Sequence, residues 1–143
     1  KRGVADPTPL QVGSLPSATS FCYEDAYASE QLTFFPAARF IVNVTNDAWF
    51  GDTIAPHQHL QIARTRSAES QRWQFRAANT GITAIIDGRG RVLSAAPSFE
   101  PAILVGRVQT VAGHTPYTRF GNILALLVAL VSVSLGLSHS RRR

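Results

Sequence analysis

Ser20-Phe21-Cys22-Tyr23-Glu24 joins an apolar segment to a polar one at the single cysteine of this 143-residue chain. The residues before Cys22 are predicted to form a short strand, and those after it a helix. A thiol at such a turn faces a cleft, and the N-terminus of the helix stabilises its thiolate. A lone cysteine can equally be a small buried hydrophobe, and it cannot form an internal disulfide. The turn therefore indicates a nucleophile or a core residue, and the surrounding sequence has to separate the two.

Short apolar segments alternate with helical ones around this turn, which predicts an α/β layer structure. Residues 1–16 are expected to be irregular. The predicted helices are residues 25–35, which Pro36 ends, and residues 56–73, which Pro56 begins. The predicted strands are residues 18–22, 39–45, 75–78, 82–86, 91–95 and 103–108. A hairpin loop is expected at Asp87-Gly88-Arg89-Gly90, because glycine adopts positive φ angles readily.

The basic charge of the chain is concentrated at its end. The formal net charge is +5, and leaving out the three arginines at 141–143 reduces it to +2. A surface that binds nucleic acid needs basic residues along one face, with aromatic residues between them. Only four arginines approach this pattern, namely Arg64, Arg66, Arg72 and Arg76. A solvated helix face, on which Glu69 pairs with Arg66 and Arg72, explains them better, so we expect no nucleic-acid partner.

The C-terminal segment has the composition of a membrane helix. Residues 120–138 contain no ionisable side chain, and nineteen helical residues span about 28 Å, close to the hydrocarbon thickness of a bilayer. We predict a juxtamembrane segment over residues 115–121, a transmembrane helix over 122–138 and a basic tail over 139–143. The positive-inside bias places this tail in the cytoplasm and the preceding domain, residues 1–114, on the opposite side. The alternative is a buried C-terminal core helix.

Two alternating histidines raise the question of metal or dyad chemistry. His57 and His59 would form a metal site if Asp47 or Asp52 completed it. On a helix, however, positions i and i+2 do not share a face, so the two rings diverge. An extended loop would let them converge, and a pairing of Cys22 with a histidine is a further alternative. We expect both histidines to pack and form hydrogen bonds around the loop above the sheet, with no metal and no cofactor.

The loop that ends at Gly51 carries two large aromatic side chains. Trp49 and Phe50 follow the strand that is predicted to lie beside Cys22. They are suited to line the entrance for an apolar chain or to enter the membrane interface, where tryptophan is favoured. The alternative is that they cover the hydrophobic core.

Five motifs occur in an order and spacing that resemble one family. They are Phe21-Cys22-Tyr23-Glu24, NDAWFG at 46–51, QHLQIAR at 58–64, NTGITA at 79–84 and TPYTRFGN at 115–122. Together they resemble the C-terminal part of the bacterial apolipoprotein N-acyltransferases, the membrane-bound branch of the carbon-nitrogen hydrolase (nitrilase) superfamily. The resemblance covers nearly the whole chain. It implies the C-terminal half of a nitrilase-type α-β-β-α sandwich, on the periplasmic side of the bacterial inner membrane, followed by one transmembrane helix.

The resemblance also implies a reaction and the residues that perform it. These enzymes move a fatty acyl chain from a phospholipid donor, through a cysteine thioester, to the N-terminal amine of a diacylated apolipoprotein. By its position in the motif, Cys22 is the nucleophile. The backbone N–H of Tyr23 would lie near the developing oxyanion, and Glu24 would order the site.

The catalytic set of that family is Glu, Lys and Cys, and the resemblance places the Glu and the Lys upstream of this chain. Lys1 lies only 21 residues before Cys22 and matches a point after the catalytic lysine, so it takes no role. We therefore expect a fragment that is nearly inactive alone. Two alternatives are an amidase or nitrilase that uses the same cysteine with water, and a membrane-anchored module without catalytic activity.

Overall fold

Six strands form one sheet and follow each other across it in chain order, within residues 8–140, which this computed structural model describes. They are β1 (Leu10–Val12), β2 (Leu15–Phe21), β3 (Phe40–Asn46), β4 (Gln74–Asn79), β5 (Ala84–Ile86) and β6 (Val92–Ala95). β2, β3 and β4 run parallel, whereas β1, β5 and β6 are antiparallel to their neighbours. The carboxyl ends of the parallel strands therefore meet at one edge of the sheet, where open α/β sheets bind their ligands.

The helices of the described residues are α1 (Ala28–Gln31), α2 (Ala55–Ser70), α3 (Pro116–Phe120) and α4 (Ile123–Ser140). α2 is the helix predicted over residues 56–73. Pro56 lies in its first turn, where the fixed φ of proline suits a helix start. The helix ends before Gln71, which adopts a left-handed backbone with φ 53°. The mixed α/β class predicted from the sequence is confirmed.

The continuous helix predicted over residues 25–35 is wrong. The segment consists of a 3-10 turn (Cys22–Ala26), the single turn α1 and a second 3-10 turn (Leu32–Phe34). The break falls at Tyr27, whose φ of −95° and ψ of 81° are not helical. Asp25 is buried and accepts a hydrogen bond from Gln74 on β4 as well as from Ser20 and Gln31, so a tertiary contact competes with the local helical preference.

Two further predictions about regular structure need correction. Residues 10–12 form the edge strand β1, although 1–16 was expected to be irregular; residues 1–7 lie outside the described part of the chain. The strand predicted over 103–108 does not form. Ile103 is 92% exposed, so the apolar residues of this segment do not indicate burial in the sheet. The segment approaches the sheet at Gly106, where a Cβ atom would collide with the Cδ1 of Ile85.

A polar layer interrupts the core on the sheet face that α2 covers. One apolar cluster contains Ala18, Phe35, Ala38 and Ile41, and a second contains Ala63, Ala84 and Ile86. Between them lie the buried polar side chains of the three parallel strands, namely Ser20, Asn43, Gln74 and Arg76. Buried polar groups persist in a core only when they are hydrogen-bonded, so this layer is a network.

The opposite face of the sheet is only partly covered near its carboxyl edge. Phe21 pairs in register with Val44, which pairs in turn with Ala77 on β4. All three side chains are exposed, and they form a continuous apolar row across the parallel strands.

The arginines expected on a solvated helix face are in part buried. Arg66 does form an ion pair with Glu69, at 3.1 Å. Arg72 does not: its guanidinium donates to the carbonyl oxygens of Ala38, Ser70 and Gly113, and it lies over the ring of Phe35. Arg76 belongs to the polar layer. The expectation that Glu69 pairs with Arg72 is therefore wrong.

α4 occupies the segment that was predicted to cross a membrane. Its apolar side chains from Ile123 to Leu137 are exposed. Within residues 8–140, no helix reaches the length and hydropathy that a membrane span requires. The transmembrane helix predicted over 122–138 is therefore not confirmed.

Candidate active site

Cys22 lies directly after the carboxyl end of β2, at the start of the 3-10 turn. Its backbone is left-handed, with φ 51°, and its side chain is half-buried. For a residue with a Cβ atom, this conformation costs about 1–2 kcal/mol. Such strain persists only where the surrounding structure holds the residue in place. The strand-to-turn position predicted from the sequence is therefore correct, and its backbone is more constrained than the pattern indicated.

The residues after Cys22 face outward. Tyr23 is exposed, and its ring meets that of Tyr27 edge to face at 5.8 Å. Glu24 is also exposed, and its Oε2 accepts a hydrogen bond of 2.7 Å from the backbone N–H of Phe21. Glu24 therefore ties the end of β2 to the turn, across the cysteine. The ordering role that the resemblance implies for Glu24 in catalysis stays a prediction.

The backbone carbonyl of Cys22 is held from two elements. Asn43 on β3 donates from Nδ2 to this oxygen at 3.4 Å and to Ser20 Oγ at 3.0 Å. The Nε2 atom of His59 on α2 lies 3.2 Å from the same carbonyl oxygen. The turn that carries the thiol is therefore fixed to both the sheet and the helix.

Beneath the turn, hydrogen bonds close into a ring through the buried ion pair of Asp47 and Arg76. His59 Nδ1 lies 2.9 Å from Asp47 Oδ1, and Arg76 Nη2 donates to Asp47 Oδ2 at 3.0 Å. Arg76 Nη1 donates to Asn43 Oδ1 at 2.6 Å, and Asn43 Nδ2 closes the ring by donating to the Cys22 carbonyl. We call these five residues the carbonyl ring: Cys22, Asn43, Asp47, His59 and Arg76.

A second carboxylate extends this network. Asp25 accepts hydrogen bonds from Ser20 and Gln31 at one oxygen and from Gln74 Nε2 at the other. Burial lowers the pKa of Arg76, and the charges of Asp47 and Asp25 oppose that effect. Cys22 makes the smallest of the contributions that raise the pKa of Arg76. The Arg76 guanidinium is thus the cation that offsets the charges of the two buried carboxylates.

The sequence-predicted site residues therefore divide into two groups. The turn brings Cys22 and Glu24 together, with Tyr23 beside them. Trp49 and Phe50 form a separate exposed 3-10 turn (Ala48–Phe50) after β3, where Trp49 is 81% exposed. Trp49 is too exposed to cover the hydrophobic core, which was the alternative for these two residues.

Sequence reasoning missed the carbonyl ring as a unit. The signal was present as polar residues at alternate positions of apolar strands, such as Asn43 and Thr45 on β3 and Gln74 and Arg76 on β4. Alternation places such residues on one face of the sheet. His57 is exposed whereas His59 is buried, so the two rings diverge as the helical spacing predicted. Across 8–140, no three His, Cys, Asp or Glu side chains are grouped to hold a metal.

Residues 4–117 match the family described as carbon-nitrogen hydrolase, which accounts for most of the chain. The chain belongs to the carbon-nitrogen hydrolase family. The superfamily resemblance read from the sequence motifs is confirmed, and the half-buried cysteine of the chain lies at the carboxyl edge of the parallel strands.

The curated relatives of the chain indicate a more specific branch of this family. The chain is 48% identical over 136 residues to the apolipoprotein N-acyltransferase of Methylococcus capsulatus, covering 95% of this chain and 27% of that protein. It is 46% identical over 145 residues to the apolipoprotein N-acyltransferase of Nitrosomonas europaea, covering 99% of this chain and 29% of the relative. The chain thus spans less than a third of the length of the relatives that it matches.

Solved structures share the fold of the chain. An amidase from Nesterenkonia sp. AN1 superimposes with a TM-score of 0.58 at 16% identity, covering 90% of this chain and 50% of the amidase. That structure is described as showing the result of Michael addition of acrylamide at the active site cysteine. A second structure of a Nesterenkonia amidase gives a TM-score of 0.57. At this identity the likeness concerns the fold.

Proposed function

We propose that this chain is the C-terminal part of an apolipoprotein N-acyltransferase. Its reaction transfers a fatty acyl chain from a phospholipid to the N-terminal amine of a diacylglyceryl-cysteine in an apolipoprotein. The observation that carries the proposal is 38–48% identity to proteins of that name, in several cases over nearly the whole chain. The single cysteine on a strained, well-held turn supplies the chemistry.

Cys22 acts as the nucleophile in both halves of the transfer. The thiolate attacks the ester carbonyl of the phospholipid, the ester C–O bond breaks, and the lysophospholipid leaves as an alcohol after it takes up a proton. The acyl group is then a thioester on Cys22. The amine of the acceptor attacks that thioester, the C–S bond breaks, the amine loses a proton and the thiol is restored. A thioester remains reactive towards an amine, which makes cysteine suitable for both steps.

The turn assigns supporting roles to the neighbours of Cys22. The backbone N–H of Tyr23 stabilises the oxyanion of the tetrahedral intermediate, and one such donor is typically worth about 3 kcal/mol. Glu24 holds the turn through its hydrogen bond to Phe21. The base and the cationic partner of the family's Glu-Lys-Cys set come from residues upstream of this chain. The 143 residues alone are therefore expected to be nearly inactive, and no cofactor takes part.

The open face of the sheet is the surface on which the complete domain is assembled. The apolar row of Phe21, Val44 and Ala77 packs against a second sheet that lies upstream of this chain. This packing completes the α-β-β-α sandwich of which the present residues are the C-terminal half. Exposed apolar rows of this extent are otherwise unfavourable in water.

The acyl donor reaches the site from the membrane. Trp49 and Phe50 lie exposed in the turn after β3, the strand next to the one that ends at Cys22, and contact lipid, since aromatic side chains favour the membrane interface. α4 exposes apolar side chains from Ile123 to Leu137 and contacts the acyl-chain region. The catalytic domain then lies on the periplasmic face of the inner membrane, and the arginines at 141–143 favour the cytoplasm for the C-terminus.

The test uses the complete gene product that contains this chain, purified in detergent and mixed with phosphatidylethanolamine. Mass spectrometry of the Cys22 peptide is expected to show a fatty acyl adduct, which a diacylated lipopeptide then removes by forming an amide. Cys22→Ser should abolish the thioester adduct and leave the protein bound to membranes. An adduct that is discharged by water to free fatty acid, with no amide formed, would instead indicate a hydrolase. Wild-type acylation of the Cys22→Ser variant would remove Cys22 from the mechanism.

A further inference from the structure

We propose that His59 is a positioning residue for Cys22. As an imidazolium, it donates one hydrogen bond to Asp47 and one to the carbonyl oxygen of Cys22, and thereby fixes the backbone that presents the thiol. The inference rests on the proposed function insofar as Cys22 is the nucleophile. Its test separates the two, because the presentation of a thiol is measurable without acyl transfer.

Both ring nitrogens of His59 face atoms that only accept hydrogen bonds. Nδ1 lies 2.9 Å from a carboxylate oxygen of Asp47, and Nε2 lies 3.2 Å from the backbone carbonyl oxygen of Cys22. A neutral imidazole has one donor nitrogen and one acceptor nitrogen, whereas an imidazolium has two donors. Both contacts are hydrogen bonds only when the ring carries a proton on each nitrogen.

The charges of the buried network balance in that state. Asp25 and Asp47 contribute two carboxylates, each held by hydrogen bonds from neighbouring side chains, and Arg76 contributes one guanidinium. All three side chains are buried, and so is His59. A cation next to Asp47 stabilises its buried carboxylate. A protonated His59 provides such a cation.

The backbone that His59 contacts needs such support. Cys22 holds φ at 51°, a left-handed conformation that a residue with a side chain rarely adopts. Its carbonyl oxygen is fixed by Asn43 from the sheet and by His59 from α2. Release of the carbonyl would let the turn relax towards an ordinary conformation and move the thiol. A displacement of about 1 Å at a reacting group can cost about 100-fold in rate.

The test compares His59→Leu with His59→Gln in the complete gene product. Leucine is similar in size to histidine but has no hydrogen-bond donor, whereas the amide of glutamine can still donate to the Cys22 carbonyl. Two rates are measured: alkylation of Cys22 by iodoacetamide, followed on its peptide by mass spectrometry, and acylation by saturating phosphatidylethanolamine. His57→Gln, on the exposed side of the same helix, is the matched control.

We expect His59→Leu to slow both reactions by about 10- to 100-fold while the KM for phosphatidylethanolamine is unchanged. His59→Gln should recover most of both rates, and His57→Gln should match the wild type. If His59→Leu does not fold, His59→Phe replaces it, because the phenyl ring fills the space of the imidazole and has no donor. It should then slow alkylation in the same way.

Equal losses in the leucine and glutamine variants would contradict a positioning role through a hydrogen bond to the Cys22 carbonyl. A change in melting temperature with normal rates would show that His59 only fills space. If the wild type forms no acyl thioester while His59→Leu still slows alkylation, the proposed function fails and the positioning role stands. If the wild type is acylated and every His59 variant retains both rates, the positioning role fails alone.

Discussion

Gly81 packs directly against the side chain of Asp47. A methyl group at Gly81 would lie 2.8 Å from the Cβ of Asp47 and closer still to its Oδ2, which is nearer than side-chain carbons approach one another. The connection between β4 and β5 thus leaves space for the carboxylate that contacts His59 and Arg76. A residue outside the carbonyl ring is in this way necessary for its geometry.

Gly81→Ala is therefore expected to displace Asp47 and to slow the acylation of Cys22. Overpacking of this kind also costs about 1–3 kcal/mol of stability. Thermal unfolding and the acylation rate of the complete gene product measure the two effects. Gly136→Ala is the matched control, because no neighbouring atom lies within 4 Å of its added methyl group. A Gly81→Ala variant with normal stability and normal acylation would contradict the close packing.

Arg76→Leu should be strongly destabilising, by about 3–5 kcal/mol, because it leaves the buried carboxylate of Asp47 without its guanidinium partner. Removal of both groups in Arg76→Leu/Asp47→Leu should cost less than the sum of the single changes. A double-mutant cycle on the free energy of unfolding measures this coupling. The more accessible pair of Arg66 and Glu69 serves for comparison and should couple by less than about 1 kcal/mol. Strict additivity at Arg76 and Asp47 would refute the interpretation.

Asp87 predicts a dependence of stability on pH. Burial acts to raise the pKa of Asp87, but hydrogen bonds from Arg91 and Arg89 outweigh it and hold the pKa below the ordinary value of 3.8. The carboxylate accepts from both backbone N–H groups at 2.9 Å and from Arg91 Nε at 2.7 Å. Because the folded pKa is lower than the unfolded one, the stabilisation is present above pH 3.8 and is lost as the pH falls through the folded value.

Asp87→Asn should accordingly be less stable than the wild type near neutral pH, and the difference should shrink below pH 3.8. Unfolding by urea at a series of pH values measures both. Asp52→Asn, at an exposed position, is the control and should show no such trend. A difference that stays constant down to the lowest pH would contradict the assignment.

Trp49→Ala tests the contact of the exposed aromatic turn with lipid. Since Trp49 is largely exposed, its removal should leave the melting temperature unchanged and raise the KM for phosphatidylethanolamine. Trp73, which is partly buried next to β4, provides the contrast, because Trp73→Ala should lower the melting temperature. A large loss of stability in Trp49→Ala, with KM unaffected, would show that the turn serves the fold.

Local patterns in the chain were sufficient for several elements. The parallel strand β3 follows from its run of apolar and β-branched residues, and α2 from Pro56 and its polar composition. The hairpin at 87–90 follows from its two glycines. The position of Cys22 at the end of a strand was also readable, because the residues on its two sides differ in character. Each of these features depends on neighbours a few residues apart, which is the range over which backbone preferences act.

Predictions failed where distant residues compete with local preference. The helix expected over 25–35 is broken where buried Asp25 accepts a hydrogen bond from Gln74, 49 residues further along the chain. The strand expected over 103–108 does not form, although its composition suits one, since a strand also needs a partner to satisfy its backbone. Neither requirement can be seen in a window of ten residues.

The residues alone were enough to assign the chain to the α/β class, to predict helix α2 and strand β3, and to place the cysteine at the end of a strand. Periodicity and turn chemistry are local properties, which is why these features could be predicted. The carbonyl ring depends on folding. Its members come from the turn at 22, from β3 and its end, from α2 and from β4, and they meet only because parallel strands place their polar positions at one edge beneath a helix. Charge balance and hydrogen-bond geometry among such distant residues are properties of the folded arrangement, and they determine how the thiol is held.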